Sequence, residues 1–455
     1  MNTVPMSRAS VTGRATPAPP GPARPARPAG PAGPAGGGRL PRVLPPPPSV
    51  DRAAGLNEHL DRHGPVPYRG ARHALIGDVR ASGLTGRGGA AFPVYRKLEA
   101  AAAARPGRAV VVGNAAEGEP ASHKDEALLT LAPDLVLDGL QLAAEAVGGG
   151  RVILYVRRDI LARSRIDIKI PERRRRGVDQ ARVEVIPAPG RFLAGEESAL
   201  ASLITGGAAV PRYTPPRVFE RGVDGRPTLV QNAETLAHLA LIARYGPAWF
   251  RELGTLEEPG TMLCTLRQAD GSVTVAEAAI RTRLDELLDL RNASAVLVGG
   301  YHGAWIEAGQ AAGLTLSNAA LRPLGAFTGA GVLAALPAGR CGLAETARVA
   351  RYLALESAGQ CGPCRSGLPS IAAAMGELAG PRPDPRVLAD LGRWAGLVEG
   401  RGACHHPDGT VRFLRSALRV FAGEIGEHER GRCVAPGAPG FLPVPAGPRA
   451  EQDWS

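Results

Sequence analysis

Hydrophobic positions in the first half of the chain fall into two kinds of run. The β-branched runs AVVVG (109–113) and RVILYV (151–156) predict buried strands. Between them, LTLAPDLVLDGLQLAAEAVG (129–148) has apolar residues at helical spacing. Strands that alternate with helices predict an α/β domain with a partly parallel sheet over residues 50–255.

The pattern changes in the second half of the chain. TMLCTLR (261–267) and SAVLVGGY (294–301) predict strands, and VAEAAIRTRLDELL (275–288) between them predicts a helix. These elements indicate a small α+β domain over 256–325. Helical periodicity then predicts a helical bundle over 335–430, with loops at 357–365 and near 402–410.

Both termini differ in composition from the rest. Residues 1–48 consist mainly of Pro, Ala, Gly and Arg, and such a segment buries too little apolar surface to offset its ordering entropy. We predict a disordered head over 1–48 and a flexible tail over 436–455. No run of about 18 apolar residues predicts a membrane span, and the N-terminus lacks an apolar signal core. We expect a cytoplasmic protein, with any membrane association through a partner.

The net charge of +11 raises the question of nucleic-acid binding. Of the 54 basic residues only Lys97, Lys124 and Lys169 are lysines, and this bias indicates a GC-rich genome rather than a selected basic face. We therefore predict no nucleic-acid partner, and interpret the arginine run 173–176 as a solvated surface loop. Where Arg has replaced Lys almost everywhere, a remaining Lys indicates a site that needs a compact ammonium group.

Two loops in the first half could bind a ligand. In SGLTGRGGAAFPVYRK (82–97), glycines can aim backbone N–H groups at an anion, which favours phosphate binding over a plain surface turn only weakly. VVVGNAAEGEPASHKDE (110–126) carries polar residues past the end of a strand, where open α/β sheets bind ligands. A polar loop with a helix cap is the alternative for the second stretch.

Two further stretches are weaker alone. FLAGEESAL (192–200) places adjacent glutamates before a helical run, where acids often only favour the helix dipole. TLVQNAETLAH (228–238) places polar residues where a strand meets a helix.

Six cysteines occur in a chain without an export signal, which favours metal or redox roles over disulfides. Cys361 and Cys364 have CxxC spacing, and Cys404 follows forty residues later. Thiolates at this spacing bind zinc or iron–sulfur clusters, and a redox CxxC is the rival interpretation. The helical surroundings and the third cysteine favour a cluster.

Taken together and in this order, these five stretches resemble the flavin-binding subunit of respiratory complex I. The same module serves as the diaphorase subunit of NAD-linked hydrogenases and formate dehydrogenases. The resemblance spans roughly residues 70–425. It implies an α/β domain that binds FMN and NADH, a ubiquitin-like β-grasp (α+β) domain, and a C-terminal helical bundle with a [4Fe–4S] cluster.

The resemblance also implies roles for individual residues. The FMN phosphate would be cradled by Gly86, Arg87 and Gly88 with Lys97, and held with the ribityl chain by Gln231, Asn232 and Thr235. Phe92 would stack on the adenine of NADH, while Asn114, Glu117 and Glu119 would line the flavin and nicotinamide side. Gly195, Glu196 and Glu197 would flank the flavin and the NADH ribose, and Cys361, Cys364 and Cys404 would ligate iron.

Three positions depart from the family pattern. Ala116 replaces an Asp of the flavin loop, Phe192 replaces a Tyr, and Ala358 replaces the first cluster cysteine. Three alternatives remain for the fourth cluster ligand: His405 or His406, an open three-cysteine cluster, or loss of the cluster. Cys341 lies seventeen residues before Ala358, about 25 Å along a helix, which is too far.

The implied function is an NADH dehydrogenase-type flavoprotein. Hydride would pass from NADH to FMN, and single electrons would pass through the cluster to a redox subunit or a quinone-linked acceptor. The alternatives are a relay with a different donor or a membrane reductase partner, and a non-catalytic scaffold.

Overall fold

The structure is a computed structural model that describes residues 40–45, 55–445 and 454–455. Most of the predicted disordered head, and residues 446–453 of the predicted tail, lie outside the described residues.

The described chain forms strands and helices in alternation. The strands are β1 (Val110–Ala115), β2 (Arg151–Arg157), β3 (Val183–Ala188), β4 (Thr228–Asn232), β5 (Thr261–Arg267), β6 (Val273–Ala279), β7 (Ala293–Val298), β8 (Ala304–Glu307) and β9 (Val332–Pro337). The helices are α1 (Leu56–His63), α2 (Ala74–Ser82), α3 (Val94–Ala102), α4 (Lys124–Leu131), α5 (Pro133–Val147), α6 (Arg158–Arg163), α7 (Ile166–Arg175), α8 (Glu197–Ile204), α9 (Ala233–Arg251), α10 (Leu284–Leu287), α11 (Ala308–Ala311), α12 (Asn318–Leu321), α13 (Gly342–Leu355), α14 (Leu368–Leu378), α15 (Val387–Val398), α16 (His406–Val420) and α17 (Ala422–Glu429).

The first sheet has four parallel strands in the order β3-β2-β1-β4. The predicted strands at 109–113 and 151–156 are its central pair, β1 and β2, so the predicted α/β fold with a parallel sheet is confirmed. The predicted helix at 129–148 is two helices, α4 and α5, which meet at a 97° bend. The strand order reverses between β1 and β4, and such a switch point opens a crevice at the carboxyl ends of the strands.

Helices cover both faces of this sheet. Val111 and Leu154 pack with residues of α5 and α9 in one large core, whereas Val112 and Ile153 pack against α8 on the other face. The alternation of side chains along each strand therefore buries both faces and leaves the strand ends as the accessible part.

The second sheet has five strands in the order β6-β5-β9-β7-β8, in which only the β5–β9 pair is parallel. The predicted helix over 275–288 is wrong in its first half. Val273–Ala279 is strand β6, and only Leu284–Leu287 is helical. The antiparallel pairing of β6 with β5 overrides the helix propensity of its alanines. The sheet also includes β9, beyond the predicted limit of 325 for this domain.

Helices α13–α17 follow the second sheet and share a core with one of its faces. Leu297 and Leu336 of the sheet lie in the same buried cluster as Leu353 and Phe413 of the helices. A π-helical turn, Pro363–Gly367, directly precedes α14.

The arginine run 173–176 is not a solvated loop. Its first three residues end α7, and Arg173 is fully buried. The Arg173 guanidinium pairs with Asp134 at 3.1 Å and with Asp138 and Asp179 at 2.7 Å each. Local sequence concealed this role because two of the three partners lie on α5, more than thirty residues away.

The described parts of both termini are also packed. Val43 and Leu44, inside the predicted disordered head, are buried, and their backbone N–H groups donate to the buried Glu277 carboxylate. In the predicted flexible tail, Phe441 and Leu442 are buried and donate backbone N–H groups to Glu345. Buried carboxylates on the folded body hold these segments, and composition alone could not reveal them.

Within the described residues no single helix is long and apolar enough to cross a membrane, and α4 with α5 reaches that threshold only as a bent pair.

Candidate functional site

The loops predicted to bind a ligand meet at the carboxyl ends of β1 and β4. Asn114 and Asn232 are register partners at the ends of these strands. Asn232 also begins α9, where its side-chain oxygen accepts the backbone N–H of Glu234 at 3.0 Å. The polar residues that follow the two strands are therefore neighbours at the switch point of the sheet.

A buried charge network underlies this crevice. The Lys124 ammonium lies 2.8 Å from Asp125, 3.1 Å from Glu234 and 3.1 Å from the Asn232 side-chain oxygen. The Asn232 amide donates in turn to Asp125 at 2.8 Å. Burial alone would lower the pKa of Lys124, but the two carboxylates outweigh burial and raise the pKa. Lys124 is thus a charged member of the site floor.

The glycine-rich loop joins the same crevice through its backbone. The N–H of Arg87 donates to the Thr235 hydroxyl at 2.9 Å, and a Cβ on Gly88 would lie 3.4 Å from that of Asn232. The Arg87 side chain turns away, since it is buried and donates to the carbonyls of Thr261 and Pro259. Arg87 therefore pins the loop to the second sheet, and its guanidinium does not face the crevice.

Glu117 and Glu119 leave β1 in different directions. Glu117 is buried and accepts the Ser122 hydroxyl at 2.5 Å and the Asp125 N–H at 3.2 Å, so it caps α4. Glu119 accepts the backbone N–H of Tyr301 at 2.8 Å, which ties the loop to the second sheet. Burial of its carboxylate raises the pKa of Glu119 to about 7.

The Gly-Glu-Glu stretch closes over the other side of the β1 loop. The Asn114 amide donates to the Gly195 carbonyl at 2.8 Å, and a Cβ on Gly195 would lie 2.6 Å from the carbonyl oxygen of Ala116. Only glycine permits this approach without displacement of the backbone. Glu196 caps α8, and Glu197 forms an ion pair with Lys97. The two glutamates therefore have separate tasks.

Phe92 and Gln231 complete the set. Phe92 lies half-buried, with the Lys97 ammonium 6.0 Å from its ring centroid. Gln231 is buried at the end of β4, and its Nε2 has no hydrogen-bond partner among the described residues. A buried amide without a partner normally has a ligand or water as its acceptor. The crevice thus fits a polar group such as that of a flavin.

The three cysteines of the predicted cluster lie together at the start of α14 and α16. Cys364 is buried in the π-helical turn; burial and then the adjacent Cys361 raise its pKa. Burial also raises the pKa of Cys404 to about 11, with a smaller contribution from the carboxylate of Glu196. Three converging thiols fit an iron–sulfur cluster. The influence of Glu196 on Cys404 places this group beside the Gly-Glu-Glu loop.

The histidines beside Cys404 are poorly placed to supply a fourth ligand. His406 uses both ring nitrogens, since Nδ1 lies 2.9 Å from Nε2 of His302 and Nε2 lies 2.9 Å from the carbonyl of Leu353. The side chain of His405 is fully exposed and pairs with Asp408 at 3.3 Å. Of the alternatives left by the sequence, the open three-cysteine cluster and loss of the cluster remain.

The position of the replaced cysteine is packed with apolar groups. Ala358 packs against a small cluster that includes Leu193, Ala194, Ala209 and Trp454. The C-terminal segment is held there, since the Ala209 N–H donates to the Trp454 carbonyl at 2.7 Å. The site therefore presents a hydrophobic wall where the family pattern has a thiolate.

Sequence reasoning missed a buried pair that joins the two halves of the site. Arg191, just before the Gly-Glu-Glu loop, lies 3.2 Å from the carboxylate of Glu356, just before the cluster loop. The Phe192 N–H donates to the same carboxylate at 2.8 Å. Glu356 precedes the quoted cysteine motif and could have been noticed, whereas nothing local distinguishes Arg191 from the other arginines.

Two family models match the chain. Residues 79–241 match the Nuo51 FMN-binding domain, and residues 344–428 match the NADH-ubiquinone oxidoreductase-F iron-sulfur binding region. The chain belongs to the NADH-ubiquinone oxidoreductase-F family of complex I. The resemblance inferred from the five motifs is thereby confirmed, and both matched regions contain the loops described above.

Other members of the oxidoreductase-F family are similar over most of the chain. An F-type NADH-quinone oxidoreductase chain of Rhizobium meliloti is 28% identical over 394 residues, which cover 80% of this chain and 93% of that protein. The NAD-reducing hydrogenase HoxS subunit alpha of Cupriavidus necator is 28% identical over 433 residues, 86% of this chain and 70% of that protein. A crystal structure of an NAD⁺-reducing [NiFe]-hydrogenase in the H₂-reduced state aligns with a TM-score of 0.72 and 28% identity, over 83% of this chain and 67% of that one.

Proposed function

We propose that the chain is the NADH-oxidising flavoprotein component of a larger redox assembly. FMN would bind at the carboxyl ends of β1 and β4, where it accepts a hydride from NADH and releases electrons one at a time. The observation that carries this proposal is the buried, unpartnered amide of Gln231 at the switch point, inside the region that matches the FMN-binding domain. The donor, the acceptor and the cellular location stay predictions.

The residues of the crevice would divide the work of binding. Backbone N–H groups of Gly86 and Gly88 would face the phosphate, with Gln231 as a side-chain donor. Thr235 holds the glycine loop in place through the backbone of Arg87, so its role is positioning. Asn114 is committed to the Gly195 carbonyl and keeps the two flanking loops together.

The remaining predicted residues would serve the nucleotide side. Phe92 would offer an apolar ring face to the adenine, and the Lys97–Glu197 ion pair would fix the ends of its two loops. Glu119 would lie at the border with the second sheet. Lys97 would add positive charge near the phosphates.

The rest of the chain would carry electrons away from the flavin. Cys361, Cys364 and Cys404 would hold an iron–sulfur cluster, adjacent to Glu196. We infer that the five-stranded sheet is the predicted β-grasp domain, because its first and last strands, β5 and β9, are central and parallel. Helices α13–α17 would then be the predicted bundle, and the electron acceptor would lie on another subunit.

An anaerobic titration with NADH tests the proposal directly. The purified full chain, supplied with FMN, should show a flavin band near 450 nm that bleaches on addition of NADH (about one equivalent per flavin). A flavin band that does not bleach would indicate a different donor. A chain that binds no FMN after reconstitution would support the scaffold alternative and overturn the proposal.

A matched pair of variants tests the role of Gln231. Gln231→Leu keeps the side-chain volume but removes the buried donor, and should weaken FMN binding roughly tenfold, as expected for one hydrogen bond to a charged or polar ligand group. Gln310→Leu, at an exposed position, is the control and should leave FMN affinity unchanged. Equal affinities in the two variants would contradict the assignment.

Restoring the replaced cysteine tests the cluster. If three thiolates hold a cluster with one iron lacking a protein thiolate, Ala358→Cys should slow its loss in air several-fold, since the fourth iron gains a ligand. Ala358→Ser adds a similar volume without a thiolate and is the control. Absence of iron from the wild type and from both variants would favour a flavoprotein that reduces its partner directly.

A further inference from the structure

Three potential metal ligands meet at the far end of α13 from the cluster loop. Cys341 immediately precedes α13, His428 lies in the last turn of α17, and Cys433 follows α17. Their ligand atoms all lie within 4.8 Å of one another. Neither the FMN-binding site nor the cluster uses any of them. Sequence spacing concealed the group, because Cys341 and His428 are 87 residues apart.

His428 is oriented as metal-bound histidines are. Its ring is buried, and Nδ1 lies 3.1 Å from the carbonyl oxygen of Gly380. A carbonyl can only accept, so Nδ1 carries the hydrogen and Nε2 of the neutral ring presents a lone pair. That Nε2 lies 3.4 Å from the sulfur of Cys341. The Gly380 carbonyl thus sets the tautomer that a metal requires.

Cys341 has the surroundings of a thiolate ligand. Its sulfur accepts the backbone N–H of Ala344 at 3.3 Å, at the positive end of the α13 dipole. The Glu424 carboxylate lies 3.2 Å from the same sulfur and also accepts the N–H groups of Gly342 and Leu343 at 3.1 Å each. Two thiols, an imidazole and a carboxylate thus share one small volume.

The spacing of these atoms matches one ion. Zinc bonds of about 2.3 Å to sulfur and about 2.0–2.1 Å to nitrogen, at tetrahedral angles, place the two donor atoms about 3.5 Å apart. The observed separation between Cys341 and His428 is 3.4 Å. Thiolate and imidazole ligands favour zinc over magnesium or calcium, which prefer oxygen.

We propose that Cys341, His428 and Cys433 bind one structural zinc ion, with the Glu424 carboxylate beside them as the fourth ligand. Binding would release the thiol protons to solvent and leave no open coordination position for a substrate. The site would fasten the start of α13 to the end of α17 and to the segment that leads to the buried Phe441. It would be separate from the cluster, because the 14 residues of α13 span about 21 Å.

Metal analysis of the purified full chain tests the proposal. The wild type should contain about one zinc ion per chain after removal of weakly bound metal. Cys433→Ser and His428→Gln should each lower the zinc content at least roughly fivefold without changing the iron content. Cys361→Ser is the matched control at the other thiol group and should lose iron while keeping zinc. Cys264→Ala, which removes a buried thiol of the second sheet, should keep both.

A second measurement covers the case in which the variants do not fold. Alkylation of Cys433 in the wild-type chain should be roughly tenfold slower before treatment with a strong chelator than after it, as followed by peptide mass spectrometry. Replacement of zinc by Co²⁺ should give tetrahedral d–d bands and thiolate charge-transfer absorption. Wild-type protein without zinc, zinc that disappears only in Cys361→Ser, or a Cys341–Cys433 disulfide would each overturn the proposal.

Discussion

The flavin-side loops and the cluster-side loop differ in how their polar groups are satisfied. Beneath the crevice, Lys124, Asp125, Asn232 and Glu234 bond to one another and are all substantially buried. At the cluster loop, Ala358 replaces a ligand of the family pattern and packs against apolar side chains. A buried charge network loses much stability when one member is removed, whereas a lost ligand leaves a gap that hydrophobic groups can fill. This difference explains why one end tolerates a departure that the other does not show.

The largest expected effect is on the flavin side. Lys124→Met leaves Asp125 and Glu234 without their shared cation, and should lower the free energy of unfolding by about 3–5 kcal/mol and abolish FMN retention. Denaturant unfolding and flavin content after gel filtration measure both effects.

The control for this variant is Lys169→Met. Lys169 is also buried and pairs with Asp134 at 2.7 Å, but Asp134 keeps Arg173 as a second partner. We expect a loss of about 1–2 kcal/mol with unchanged FMN affinity. If both variants retain flavin equally, the network is structural only and the contrast between the two ends fails.

A smaller effect is expected on the cluster side. Trp454→Ala removes the ring that packs near Ala358 and lies 4.1 Å from the Arg191 guanidinium. We expect a loss of about 2 kcal/mol, below the usual cost of a core tryptophan because the ring belongs to a small apolar cluster rather than to a main core. Iron should also be lost faster in air. Trp394→Ala, on a half-buried face of α15, should leave iron retention as it is in the wild type.

The smallest effect concerns pH and Glu119. Its pKa is about 7 in the folded chain and lies at its ordinary value, 4.5, when unfolded. Between these values the folded chain binds more protons, so stability falls as the pH rises from about 5 to 8. Unfolding curves for Glu119→Gln, which cannot ionise, should lose this component. Parallel pH profiles for the two proteins would show that Glu119 titrates normally.

Local pattern predicted the parts of the fold that local forces determine. The β-branched runs 109–113 and 151–156 became β1 and β2 because such residues suit a strand buried on both faces. The run at 275–279 was misassigned because its alanines favour a helix in isolation, whereas its partner β5 lies elsewhere in the chain. Pairing partners of this kind carry no local signal.

The candidate site shows the same division. Motif order located every loop that meets at the crevice, but not what each side chain does there. Arg87 was expected to face a phosphate, yet its guanidinium bonds to carbonyls next to β5. Glu117 was expected to line the flavin, yet it caps α4. Both roles depend on the relative placement of two sheets, which spacing along the chain does not encode.

The buried pair of Arg191 and Glu356 has a consequence for exchanging parts between family members. One residue belongs to the loop at the flavin and the other to the loop that carries the cysteines, and the carboxylate also fixes the backbone of Phe192. A chimera that took its helical region from a relative would keep Arg191 but could lose the carboxylate that pairs with it. Such a hybrid would bury an unmatched charge at the junction, so the two positions must be transplanted together.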